Sequence, residues 1–210
     1  MDRTERDMRI SIALNAAIVL TEAWALYRSL SMGGPLMLTF FTEDANILAL
    51  ISSAVYVILG LTRMRRGITV PSRLMVALRA SANFCLTLTF LVVVFILAPV
   101  FGPRGYVIMM LRGSVLFLHN ICPLLSMISF IFFEHTGMGR RDYVLPVIPM
   151  YVYAAAAITM NILRKWKGPY FFLMVYDQPL YMSVLWFILI IGGSLALSKA
   201  LILLNRRYTS

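Results

Sequence analysis

The side chains best placed to do chemistry in this chain are a histidine and a glutamate set inside apolar runs. His119 lies in GSVLFLHNICPLLSMISFIFF, residues 113–133, whose only other titratable side chain is Cys122. Glu22 interrupts IALNAAIVLTEAWAL in the same way. An ionisable group in hydrocarbon is costly, so it normally faces a bundle interior or a wet cavity and has a function there. An imidazole, with a pKa of about 6.5, takes and returns protons at neutral pH and can activate a hydroxyl. The candidate chemistry is therefore acid–base work inside a bilayer, with nearby hydroxyls as reacting groups.

Helices are the elements that must hold these groups. The chain has 210 residues, of which 60% are hydrophobic and 13% charged, and its mean hydropathy is +0.83. A soluble domain of this size could not hide so much apolar surface. Six segments, near 10–31, 37–62, 78–101, 113–133, 144–163 and 180–204, have the roughly 20 residues that a helix needs to cross hydrocarbon. They are too long and too uniformly apolar for barrel strands. The expected fold is all-α, a single polytopic domain over residues 1–210 with six transmembrane helices. Breaks fall at GGP (33–35), RMRRGITVPSR (63–73), FGPRG (101–105), HTGMGRRD (135–142) and KWKGPYFFLMVYDQP (165–179). The last is rich in aromatic residues and suits an interfacial or re-entrant segment. No internal repeat is visible, which weakens an inverted-repeat transporter.

The net charge of +10 is distributed as in a membrane protein. Arg3, Arg6, Arg9, Arg63, Arg65, Arg66, Arg73, Arg79, Arg140, Arg141, Arg206 and Arg207 fall at one set of span ends. Arg104, Arg112, Arg164, Lys165 and Lys167 fall at the other. That imbalance puts both termini in the cytoplasm. The basic face suits anionic headgroups, and nucleic acid is not expected as a partner. The expected location is a multi-pass integral membrane protein, in the plasma membrane if the chain is bacterial. Cys85 and Cys122 both fall inside spans and are expected to pack as small apolar residues.

This orientation gathers scattered polar residues. Thr42 lies about five residues into the second span, roughly 8 Å deep, and His119 about six residues into the fourth, roughly 9 Å deep. Glu22 sits roughly 14 Å below the outer end of the first span, and Asp177 is in an outer connection. Thr42 and Asn46 share a helix face, as do Arg112, His119 and Ser126 at intervals of seven. Asn15 and Glu22 do the same. Pro123 follows His119 by four, so it cannot donate to the His119 carbonyl and should kink the helix. Each residue also has a plainer reading. His119 can bond a neighbouring helix, and Thr42 can bond the carbonyl one turn back. Glu43 and Asp44 suit the start of a helix dipole, Glu22 can pair with an arginine, and Asp177 can begin a helix.

Three short motifs carry a resemblance. F-T-E-D-A-N at Phe41–Asn46, L-H-N-I-C-P at Leu118–Pro123 and G-P-Y-F-F-L at Gly168–Leu173 occur in that order. Over roughly residues 36–200 the chain resembles the androgen-induced-protein family of six-helix membrane proteins and its bacterial relatives. The resemblance implies an intramembrane lipid hydrolase with a Thr nucleophile on the second helix and a His partner on the fourth. The substrates of the animal members are fatty acid esters of hydroxy fatty acids. Carried over by position, the nucleophile is Thr42 and the partner His119. Thr39, in a Leu-Thr-Phe context, is a rival, whereas Asn46 and Pro123 match the bacterial pattern and favour Thr42. The aromatic connection departs from the Tyr-Pro-Phe-Leu stretch of the family.

The implied chemistry is coherent. His119 would take the Thr42 proton, the alkoxide would attack an ester carbonyl, and water would release the acyl-threonine. Asn46 or a freed backbone amide could hold the oxyanion, and Glu22 or Asp177 could orient the imidazole. Membrane lipids and an acyl ester are the expected partners, and no cofactor is expected. The alternative is a non-catalytic bundle that transports or senses a small solute or lipid through His119 and Glu22. A metal enzyme using His119, Glu22 and Asp44 ranks third, because no HxxxH or ExxH spacing occurs.

Overall fold

The structure, a computed structural model, describes residues 2–209. The described residues are 83% helical and contain no strand. The helices are α1 (Arg3–Gly33), α2 (Phe41–Arg65), α3 (Arg73–Val100), the short α4 (Pro103–Met110), α5 (Gly113–Phe133), α6 (Asp142–Ile162) and α7 (Leu180–Thr209). Six segments are long and apolar enough to cross a membrane, one for each expected span. Their boundaries depart from the expected ones where turn chemistry intervenes. Gly34 takes φ +63 beyond α1, a left-handed conformation that suits a residue without Cβ. A 3-10 turn over Gly34–Thr39 follows, so α2 starts at Phe41 and not near residue 37. Ser72 caps α3 by accepting the Met75 N–H, which starts that helix at Arg73.

Two π turns interrupt the long helices, at Val93–Leu97 in α3 and Phe117–Ile121 in α5. Each stands two residues before a proline, Pro99 or Pro123. A proline has no N–H and crowds the preceding turn, and the chain widens to i→i+5 bonding there. The Ala98 N–H donates to the Val93 carbonyl, and the Cys122 N–H to that of Phe117. The expected kink at Pro123 thus takes the form of a π turn across His119.

The bundle centre is formed by α1, α2, α3 and α5, with α6 and α7 packed on the α3–α5 side. Residues from α2, α3, α5, α6 and α7 build the main apolar core around Ala49, Phe84, Leu86 and Phe130. Helices α1 and α2 approach closely at Gly60, where a Cβ would meet Ile12 at 3.0 Å. The basic end of the bundle holds a buried polar cluster. Arg79, expected with the arginines at the inner span ends, is fully buried and pairs with Glu134 at 3.0 Å. It also donates to Ser53 and Ser126, while Asn15 and Ser129 donate to Glu134.

Candidate functional site

At the opposite end, Thr42 occupies the second position of α2 and not the fifth residue of a span. The first N–H groups of a helix have no intrahelical partner, and a tyrosine fills this place. The Tyr170 hydroxyl lies against the hydroxyl and backbone N–H of Thr42 and the N–H of Phe41. Burial pushes that phenol up to about 12, so it stays neutral and can donate. Its ring is held by Phe172, stacked at 5.3 Å, and by the edges of Phe40 and Tyr153. Tyr153 in turn donates to the Thr39 carbonyl at 2.8 Å. Asn161 pins the aromatic connection, donating to the Lys167 carbonyl and accepting from the Val175 N–H. The connection that suited an interfacial segment therefore folds onto the start of α2, and its Tyr170 is a site residue that the sequence reading missed.

Thr42 and Tyr170 open onto a cavity of about 280 Å³. Thr89 and Tyr153 add hydroxyls to it, and most of the remaining wall is apolar, including Val92, Phe95, Trp186 and Leu189. No charged side chain lines it among the described residues. The cavity can accept an alkyl chain with a neutral polar group at the Thr42 end.

His119 stands apart from this cavity wall. Its Nδ1 bonds the carbonyl of Met109, and the neighbouring Asn120 amide donates to that of Met110. Both carbonyls belong to the last turn of α4, where helix acceptors lack intrahelical partners. A carbonyl only accepts, so Nδ1 carries the proton and Nε2 keeps its lone pair. The imidazole is thus oriented as a base, by a backbone carbonyl and not by a carboxylate. No hydrogen bond joins His119 to Thr42 among the described residues.

The other expected site residues scatter. Asn46 is fully buried, but its amide donates to the Thr42 carbonyl at 2.7 Å and its Oδ1 has no partner among the described residues. Glu22 is fully buried; the Cys122 thiol faces it. Neither Glu22 oxygen reaches hydrogen-bond geometry with any described residue. Arg112 is exposed ahead of α5, and Ser126 joins the opposite end by donating to Asn83 and accepting from Arg79. The interval-of-seven face fails because the π turn inserts a residue between them. Asp177 pairs at the surface with Lys167 at 2.6 Å and supports no imidazole. Thr39, the rival nucleophile, donates to the Leu36 carbonyl within its own turn. Glu43 does lie in the first turn of α2, but it is buried and accepts from Ser29 at 2.9 Å. Among the described residues no cluster of three His, Cys, Asp or Glu side chains could hold a metal ion.

Comparison with known proteins gives no lead. No family model, curated protein or solved structure matches the chain.

Proposed function

We propose that the chain crosses a membrane six times with both termini in the cytoplasm, and that it hydrolyses fatty acyl esters with Thr42 as nucleophile and His119 as base. The observation that carries this reading is the Thr42 hydroxyl on the wall of a largely apolar, uncharged cavity, beside Tyr170 and the first N–H groups of α2. An ester whose chain fills that cavity brings its carbonyl to the Thr42 oxygen. The Thr42 oxygen attacks that carbonyl carbon while its proton passes to Nε2 of His119. The tetrahedral oxyanion is held by the Tyr170 hydroxyl, which the α2 N–H groups polarise. Collapse expels the alcohol, which takes the proton from His119 and leaves an acyl-threonine. Water attacks this ester, again losing a proton to His119, and the fatty acid leaves as Thr42 recovers its proton.

The reading requires the imidazole and the Thr42 hydroxyl to meet in the substrate complex, where catalytic bonds tighten relative to a free enzyme. The test is hydrolysis of a p-nitrophenyl acyl ester by the purified protein in micelles, together with fluorophosphonate labelling. Wild type should turn over and be labelled at Thr42, and both should be lost in Thr42→Ala and His119→Ala. Equal labelling in all three proteins rules this mechanism out.

One observation favours the second reading, a bundle that transports or senses a solute. Glu22, Asn46 and Asn83 each carry buried polar atoms without hydrogen-bond partners among the described residues. If purified wild type neither hydrolyses nor labels, these groups become the better candidates for function.

A further inference from the structure

We infer that Thr89 is a substrate-contacting residue that holds the carbonyl oxygen of a neutral acyl ester in the Thr42 cavity. The inference rests on the proposed occupant of that cavity, but not on its hydrolysis.

Thr89 is 3% exposed, lies on α3 and lines the cavity shared by Thr42 and Tyr170. A threonine inside a helix ordinarily donates to the carbonyl four residues back. Thr87, two residues earlier, does this with Asn83 at 2.7 Å. Thr89 does not, and its Oγ1 has no hydrogen-bond partner among the described residues. Its own carbonyl is already taken by the Val93 N–H, where the π turn begins. A buried hydroxyl left unbonded is costly, so a native core rarely keeps one without a use.

The surroundings define the missing partner. It must offer an acceptor to a hydroxyl while the rest of the ligand lies against Val92, Phe95, Trp186 and Leu189. The absence of charged lining residues disfavours a free carboxylate or a cationic head, which would lose its solvation without a counter-charge. A neutral ester carbonyl on an alkyl chain satisfies both conditions. Rotation about χ1 brings the Thr89 hydroxyl, which lies just beneath the cavity wall, to the carbonyl from the α3 side while Thr42 and Tyr170 approach from α2 and the aromatic connection.

The experiment compares two fluorescent ligands with the same polyene chain, a methyl ester and the methyl ether that lacks the carbonyl. Binding is measured in the Thr42→Ala background, where the ester is not consumed. The expected result is an ester preference of about tenfold, abolished by Thr89→Val through weaker ester binding alone and kept by Thr89→Ser. Loss of both ligands in Thr89→Val, with or without rescue by Ser, would assign Thr89 a packing role and overturn the inference, as would unchanged ester binding. If the protein carrying native Thr42 hydrolyses nothing while the ester preference depends on Thr89, the hydrolase reading fails and this one stands.

Discussion

Arg79 and Glu134 face each other at 3.0 Å with side chains 0% and 1% exposed. They tie α3 to the C-terminal end of α5, and Asn15 brings in α1. A buried pair of this kind adds little over an apolar pair, but losing one partner leaves an uncompensated charge and costs about 3–5 kcal/mol. Glu134→Ala should therefore lower the melting temperature in detergent sharply, whereas Arg79→Met combined with Glu134→Met should recover much of the loss. If the double variant melts as low as the single one, the cluster has a role beyond cancelling charge.

That pair also shows where sequence reading stops. The long apolar runs made six helices legible, because length and hydropathy alone decide whether a segment can cross hydrocarbon. In sequence Arg79 reads as one more span-end arginine because its partner lies 55 residues away, and pairing at that separation has no local signal. The depth of Thr42 was misjudged because Gly34 and Pro35 open a 3-10 turn that delays α2. Ser126 was grouped with His119 because a period of seven assumes unbroken α-helix, and the π turn breaks it. Only the proline hinted at this. Tyr170 was passed over because an aromatic connection reads as an interfacial belt until the fold lays it on a helix N-terminus.

Six crossings predict a specific labelling pattern. Cys85 and Cys122 are fully buried, so native thiols should stay silent toward impermeant maleimides. Arg140→Cys and Lys167→Cys replace exposed residues in connections that six crossings put on opposite sides. In sealed right-side-out vesicles, Lys167→Cys should react and Arg140→Cys should react only after permeabilisation. Reaction of both from one side would remove the six-span topology.

Tyr170 separates catalytic support from packing. Tyr170→Phe keeps the stacked ring and deletes only the hydroxyl beside Thr42. A hydrogen bond worth about 1.4 kcal/mol in the transition state corresponds to a tenfold rate. Hydrolysis of a p-nitrophenyl ester should therefore fall about tenfold in kcat with KM little changed. A melting temperature lowered together with an unchanged kcat would make Tyr170 a cap for α2 and nothing more.

Glu22 gives the sharpest contrast between the hydrolase and its rival. Its carboxyl is fully buried beside the Cys122 thiol, neither oxygen is in hydrogen-bond geometry with a described residue, and no described contact ties it to His119 or to the Thr42 cavity. If hydrolysis is the function, Glu22 is a burden on the core. Glu22→Leu fills similar space and removes an unbonded polar group that costs about 1–3 kcal/mol. The variant should melt higher than wild type and hydrolyse esters at the wild-type rate. A bundle that moves or senses a solute through this carboxyl would behave differently, gaining stability in Glu22→Leu but losing its response to solute or pH. Thermal melting and ester turnover on the same preparation decide between them, because only the hydrolase reading leaves activity untouched.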